Sequence, residues 1–541
     1  MEKDTLEARQ RFKVFLQLSD GFPTLNFDEI DFPDLSSMIE ALIDLCPPAT
    51  DWNTLEAWTI VYYVLSGSLP LKDDLIALRW GYQQNASHGA ASEFERLRER
   101  FKPDANISFV KLEPKSICID ISHTINYPFN TGIQRVIRQL GSNLITNPRV
   151  HWVVWNENYQ VWQLLDKEIV AEKLPFRHNI EKSPSIRTKN RRLVKIVIAA
   201  FWHGLFSSYR YLISNSGREQ ALRTSLIMRL VKFFRGRHLK NSTGSISMLA
   251  DIQVPLLYKQ TLLIVEPIQG EKIVNRLLYF SSLGNLSVLV YDLLPISHPE
   301  FFAASSIQTF PNYLNLLSSA SNIVTISNFT LSQVKKFTSE NSNRHLQSIL
   351  LPAGFSEVPE DRSQNSITPI FLCVGSLEPR KNHLSILRAA EDSWQKGFDF
   401  QLVLAGGQGW NNGDVIDYCK ELKKKNRNLR IINDASDSAL MDLYCEAFAY
   451  ISVPWVEGFG LPLAEGMSTG KPVIASDIAA HREFGEVENV FFVHPDDVRG
   501  ISNAMSSLIS ERTGKTQRAT YPRKSEHWVE YSRQLLAAIS K

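Results

Sequence analysis

The sequence predicts an α/β protein built from two Rossmann-like, doubly wound domains behind a helical N-terminal extension. Three observations lead there. The chain has 541 residues, too many for one hydrophobic core. From residue 116 onward short β-branched apolar runs alternate with helical stretches, twice over, with a polar, proline-bearing interruption between the two series; that alternation is the pattern of parallel sheets. Residues 1–110 show helical spacing instead.

The extension, 1–110, carries the runs LSSMIEALIDL and AWTIVYYVLSG and the charged amphipathic stretch SEFERLRERFK. None of these holds a chemical motif, so the region reads as a packing or oligomerisation module. MEKDTLEARQ is charged and lacks an apolar h-region, which argues against a signal peptide. A run of about 18 apolar residues is also missing, so no transmembrane helix is expected. The five cysteines, Cys46, Cys118, Cys373, Cys419 and Cys445, form no CxxC pair and are odd in number. They suit a reducing cytosol better than a disulfide framework or zinc knuckle.

The first α/β domain is read over 111–350. SICIDIS is followed by the loop HTINYPFNTG, the helix GIQRVIRQLGSNL, and further strands at HWVVWN, YQVWQLL, TLLIVEP, LSVLVYDL and SNIVTIS. Within it, 187–240 stands out as a basic amphipathic insert: 13 Lys or Arg against the single acid Glu219. Leu222, Leu226, Leu230 and Phe234 share one helical face, while Arg223, Arg229, Lys232 and Arg235 stay largely off it. This arrangement suits adsorption to an anionic membrane surface. Nucleic acid is not expected, because the net charge is only +2 and the aromatics cluster with aliphatics instead of forming a stacking platform.

Residues 340–369 read as a linker. The second domain, 351–525, has six strands, IFLCVGS, FQLVLAGG, LRIIND, AYISVPW, KPVIASD and NVFFVHP, each followed by a helical stretch. Residues 526–541 form a last helix expected to pack back on the first α/β domain. Ligands of open α/β sheets sit beyond the carboxyl ends of the strands, which directs attention to three turns. After IFLCV come Gly375 and SLEPRKNH, placing Arg380 and Lys381 beside a helix N-terminus, a pairing that suits a diphosphate. After FQLVLA come Gly406, Gly407 and Gly409, which permit close backbone approach. After AYISVPW comes EGFGLPLAEG, in which Gly458 and Gly460 turn the chain, Pro462 opens a helix, and Glu457 and Glu465 flank its N-terminus. An ionised carboxylate accepts hydrogen bonds only, so each acid can take a vicinal diol of a sugar or ribose. The combination reads as a site for a sugar joined by phosphates to a ribonucleoside.

Taken in order, GSLEPRKNH, LVLAGG, VPWVEGFGLPLAEG and KPVIASDIAAHREFG resemble the C-terminal half of family 4 glycosyltransferases of the GT-B fold, with their E-x7-E motif. NTGIQRV, YDLLPISHPEFF and TISNFTLSQV extend the resemblance loosely over 116–340. It implies two lobes facing a cleft and retaining transfer of a hexose or deoxyhexose from a nucleotide sugar. In these terms Arg380 and Lys381 hold the donor diphosphate and Glu457 faces the transferred sugar. The turn Gly458, Phe459, Gly460 and Leu461 meets sugar and phosphate through its backbone, Glu465 binds the ribose, Gly375 borders the donor, and Gly132 approaches it from the other lobe. Relatives often carry His-Asp where this chain has Tyr291 and Asp292; Asp292 or His298 then stands in for that histidine. Ser376, Trp455 and Gly466 also depart from the common pattern. The donor is expected to be GDP-linked by resemblance only, with no cofactor; because the chain has no D-x-D, no metal is expected either. The acceptor is expected to be a glycan, lipid-linked, in bacterial surface-polysaccharide assembly (O-antigen, capsule or exopolysaccharide), with the protein cytoplasmic and peripheral on the inner face of the membrane. The alternatives are a GT-B epimerase or phosphorylase and a catalytically dead scaffold.

If the basic insert is a membrane-binding element, deleting 187–240 should abolish flotation with anionic vesicles while leaving recovery with neutral vesicles unchanged. Equal flotation of the two forms would reject that role.

Overall fold

The computed structural model describes residues 8, 11–12, 34–45, 51–98, 107–174 without 127–130 and 158, 252–338, 344–352, 368–511 without 426, 434 and 486–488, and 526–540. The basic insert 187–240 lies outside the described residues.

Among the described residues the extension holds the helices α1 (Leu35–Leu45), α2 (Leu55–Ser66) and α3 (Lys72–Arg98). They share a small core that includes Met38, Ile39, Leu42, Trp58, Val61, Leu75, Leu78 and Phe94. α3 is two helices merged across a kink at Asn85 and Ala86. The extension is tied into the lobe that follows it. The Leu257 N–H donates to the Tyr63 hydroxyl at 2.9 Å, and the buried Arg276 guanidinium donates to the Leu69 carbonyl. The region read as helical to residue 110 ends in a strand, β1 (Ile107–Val110), which pairs in parallel with β5 (Ile252–Pro255). Neither short segment announces itself locally, because each depends on a partner far away in sequence.

The N-terminal lobe holds a seven-stranded sheet in the order β4-β3-β2-β6-β7-β8-β9, formed by β2 (Ile117–Asp120), β3 (Val150–Asn156), β4 (Val161–Leu164), β6 (Thr261–Ile264), β7 (Asn285–Val290), β8 (Asn322–Thr325) and β9 (His345–Ser348). Its neighbours are parallel except β3 and β4, which form an antiparallel edge. β9 lies inside the stretch read as linker, so the first lobe extends into it. Part of the loop after β2 is also structured, as the short helix Ser122–Asn126.

The C-terminal lobe has β10 (Ile370–Val374), β11 (Gln401–Ala405), β12 (Leu429–Ile432), β13 (Ala449–Ser452), β14 (Val473–Ser476) and β15 (Val490–Val493). All are parallel, in the order β12-β11-β10-β13-β14-β15. This is the dinucleotide-fold order, and its topological switch point falls between β10 and β13, where the crevice for a ligand opens. The two sheets make the two-lobed GT-B architecture that the resemblance implied. Each has a core on both faces.

The last helix, α9 (Glu526–Ile539), shares the N-terminal lobe's core. Trp528, Tyr531, Leu535 and Ile539 join one buried cluster with Ile137, Leu140 and Val324. Leu535 is fully buried and Val529 well exposed. Leu535→Ala should therefore cost about 2–5 kcal/mol through the cavity it leaves, read as a lower thermal midpoint, while Val529→Ala leaves the midpoint unchanged.

Candidate functional site

The loops after β10 and β13 meet at the switch point. Beyond Gly375 the chain turns through a 3-10 turn, Pro379–Lys381, into α6 (His383–Gln395). Asn382 adopts a left-handed conformation there, and its side-chain amide donates to Val453 O at 3.0 Å and Pro495 O at 2.6 Å. The Trp455 N–H donates to Arg380 O at 2.8 Å. These bonds fasten the Arg380–Lys381 pair to the loop that carries Glu457.

Glu457 is buried between the two cations. Arg380 Nη1 donates to its Oε2 at 2.7 Å, and Lys381 Nζ donates to Oε1. Arg380 Nε also donates to Glu378 at 2.9 Å. Burial alone would raise the Glu457 carboxyl, but the Lys381 and Arg380 charges outweigh it and hold the group down at about 2. Burial opposes the Arg380 charge, yet Glu457, Glu378 and Asp292 together hold its proton more firmly than usual. Removing Glu457 would leave the two desolvated cations short of counter-charge, and truncating one side of a buried pair costs about 3–5 kcal/mol.

Gly460 caps the helix α8 (Leu461–Ser468) with φ +97°, a conformation that L side chains rarely adopt. Pro462 stands at the second helical position, one residue later than the sequence suggested. Phe459 turns its ring inward onto Phe484, so only its backbone is available to a ligand. Gly458 lies against the other lobe: a side chain there would strike Tyr291 O at 2.3 Å. Its carbonyl accepts hydrogen bonds from the hydroxyls of Ser327 and Thr330.

Across the cleft, α4 (Gly132–Leu144) begins at Gly132, and among the described residues a Cβ there would meet only Leu461, at 3.8 Å. The N-termini of α4 and α8 therefore approach one another, and their open N–H groups and dipoles both favour an anion between them. Asp292 is raised by burial and lowered by the nearby Arg380 charge, and its carboxylate accepts from Leu294 N at 3.1 Å. Tyr291, at the position where relatives often carry histidine, buries its ring in the N-terminal lobe's core. His298 bonds Ser297 and stacks on Phe301, which stacks in turn on Trp455 of the other lobe. Trp410 Nε1 donates to Phe301 O at 2.8 Å and completes this aromatic seam.

Glu465 is fully buried. Its Oε1 meets the Arg135 guanidinium of α4, and its Oε2 accepts from the Tyr444 hydroxyl at 2.7 Å. The carboxylate expected to meet a ribose thus already has two protein partners.

Three further groups carry no signal in the sequence. His481 is buried; its Nδ1 lies 3.1 Å from Ser476 O, while Nε2 has no hydrogen-bond partner among the described residues and faces Gly460. Burial lowers its pKa to about 4, against the raising influence of Glu457. His383 is likewise lowered, to about 3, by burial and the Lys381 charge. Glu266, just past β6 at the switch point of the other sheet, accepts from the Thr124 N–H, the Thr124 hydroxyl and the His123 N–H, each at 2.6 Å. Burial, with Asp120 adding to it, raises its pKa to about 7.

Residues 356–534 match the family model described as "Glycosyl transferases group 1". The match covers the C-terminal lobe. The serotype-specific mannosyltransferase WbdA of Escherichia coli is 31% identical over 222 residues, which are 38% of this chain and 27% of that protein. The O-antigen chain mannosyltransferase B of Escherichia coli is 27% identical over 226 residues, 39% of this chain and 58% of that protein. The chain thus spans about a quarter to a little over half of the length of these relatives. Among solved structures, Anabaena HepE in complex with UDP and glucose aligns over 79% of this chain and 97% of its own, at 13% identity and a TM-score of 0.45. Within the matched region, the Arg380, Lys381 and Glu457 cluster and the α8 N-terminus occupy one end of the sheet. No helix among the described residues is long and apolar enough to cross a membrane.

Glu266 gives a pH signature. A carboxyl whose folded pKa is raised contributes stability that is full below its unfolded value and is lost as pH rises through the folded value. The thermal midpoint should therefore decline between roughly pH 4.5 and pH 8, and Glu266→Gln should remove that part of the slope.

Proposed function

We propose that the chain is a retaining hexosyltransferase of the family 4 type. It moves a mannosyl or related deoxyhexosyl group from a nucleotide sugar, GDP-linked, to a glycan acceptor in surface-polysaccharide assembly. The observation that carries this reading is the buried Arg380–Lys381–Glu457 cluster beside the α8 N-terminus, inside the region that matches the group 1 glycosyl transferases and in a chain whose curated relatives are mannosyltransferases.

Arg380, Lys381 and the facing N-termini of α4 and α8 are set to receive a diphosphate. As the bond from the sugar's anomeric carbon to phosphate oxygen breaks, the electron pair leaves with the nucleoside diphosphate, and these groups stabilise the growing charge. The acceptor oxygen forms the new bond on the same face of the sugar, and its proton passes to the departing phosphate oxygen. With the diphosphate drawing on the two cations, Glu457 is released to accept from the donor sugar's hydroxyls. Asp292 faces the same cluster from the other lobe. The reaction so written needs no metal. The acceptor is lipid-linked in this reading, and 187–240 would hold the protein peripherally on the inner face of the cytoplasmic membrane.

The decisive assay measures nucleotide release from GDP-, UDP-, dTDP- and ADP-sugars, with a glycolipid extract as acceptor, in the presence of EDTA. Wild type should turn over one donor. Glu457→Gln, folded by circular dichroism, should lose about 100-fold or more in kcat, as expected when an interaction that matters in the transition state is removed. Near-normal turnover by that variant would exclude the role given to Glu457.

A further inference from the structure

A buried base in the C-terminal lobe keeps a lone pair that no described residue takes up. His481 belongs to the short helix Ala479–Arg482 that follows β14, and it is fully buried. Its Nδ1 lies 3.1 Å from Ser476 O and 3.2 Å from Ser476 Oγ. A carbonyl oxygen only accepts, so Nδ1 carries the hydrogen and Nε2 is left as a bare acceptor. Nε2 has no hydrogen-bond partner among the described residues. It points at the N-cap of α8, where a Cβ on Gly460 would lie 2.7 Å from it. A buried polar atom left unpaired costs free energy, and this one lies beneath the turn at which a diphosphate is expected.

Other buried polar groups of the lobe behave differently. The Lys471 ammonium donates to the carbonyls of Cys445 and Ala447 at 2.7 Å and so closes the C-terminal end of α7 (Asp437–Glu446). His383, at the start of α6, also has unpaired ring nitrogens among the described residues. Burial and the Lys381 charge both hold it neutral, and no anion counters them. His481 is faced by charges of both signs. Glu457, from the loop after β13, favours a proton on it, and Lys381, from the turn after β10, disfavours one. Its neighbours on the chain are engaged elsewhere: Arg482 pairs with Asp477 at 2.7 Å, and Glu483 accepts from the Asn328 N–H at 2.7 Å. With the site empty, burial prevails and the ring is neutral. A diphosphate at the α8 N-terminus adds negative charge and draws Lys381 onto itself, and both changes favour the proton.

We propose that His481 is a switchable third cation of the donor site: when a nucleotide diphosphate seats at the α8 N-terminus, Nε2 takes a proton from solvent, holds it while charge grows on the leaving group, and returns it on release. The inference rests on the nucleotide-sugar reading above and deepens it. A permanent third cation beside Arg380 and Lys381 would lack counter-charge in the empty site. An imidazole avoids that cost, because it can be neutral there and charged only when the anion is present.

The test is isothermal titration of wild type and His481→Asn with GDP-mannose, UDP-glucose, dTDP-glucose and ADP-glucose, in two buffers of unlike ionisation enthalpy. The diphosphate of a nucleotide sugar is esterified at both ends and does not titrate near neutral pH, so a proton taken up belongs to the protein. With the donor that binds, wild type should take up about one proton per ligand at about pH 6, and its affinity should fall about tenfold between about pH 6 and about pH 8. The bound state holds the extra proton, so affinity is lost as pH rises. His481→Asn keeps an amide for Ser476 O but has nothing to titrate; it should take up no proton, bind more weakly in acid and show a flat pH profile. His481→Gln, equally unable to titrate, carries the comparison if the Asn variant does not fold. Binding by wild type without proton uptake, or equal uptake by the variant, would overturn the proposal and leave the nucleotide-sugar reading standing. Wild type that binds none of these donors would overturn that reading and this inference with it.

Discussion

The organisation of the C-terminal lobe turns on one buried carboxylate, Glu457, held between Arg380 and Lys381. A desolvated anion is costly unless cations face it, and two adjacent desolvated cations are costly unless an anion faces them. Each side of the cluster meets the other's need, and this joins the loop after β10 to the loop after β13 at the switch point of the sheet. Asn382 and the Trp455 N–H repeat the tie through neutral bonds. The charges sit where a doubly wound sheet leaves room for a ligand, and a diphosphate is the kind of anion that could replace Glu457 on its cations.

The lobes meet where glycine lets them. At Gly458 the chain presses on Tyr291 and Asp292, and its carbonyl is held by Ser327 and Thr330. Nearby, Glu483 accepts from the first two N–H groups of α5 (Asn328–Phe337), filling part of a helix N-terminus from the opposite lobe. The Phe301–Trp455 stack and the tilted Phe302–Trp410 pair line another part of the contact. Trp455 is one of the departures from the common family pattern, and its ring now has a place: it packs across the seam while its N–H holds the Arg380 loop.

The strands of the C-terminal lobe were legible because each is a compact apolar run flanked by a helix, so local pattern and tertiary environment agree. β1 and β5 escaped notice because they stand outside the strand–helix alternation and pair only with each other, far apart in sequence. β9 was hidden because an edge strand of a sheet can be polar: all four of its residues are at least partly exposed. YQVWQLL was read as one more strand of a parallel series, but a short turn after β3 brings it back antiparallel.

By itself the sequence determined the alternating α/β architecture and the chemical types at the strand ends: the paired cations, the two acids and the glycines between them. These are local properties, set by periodicity, turn chemistry and spacing. Only the tertiary structure decided who meets whom. It paired Glu457 with Arg380 and Lys381, turned Tyr291 into the core, raised Glu266 by burial, and gave Glu465 to Arg135 from the far lobe. Such pairings depend on burial and on side chains brought within a few ångströms by two separate sheets, and no local feature of the chain encodes that distance.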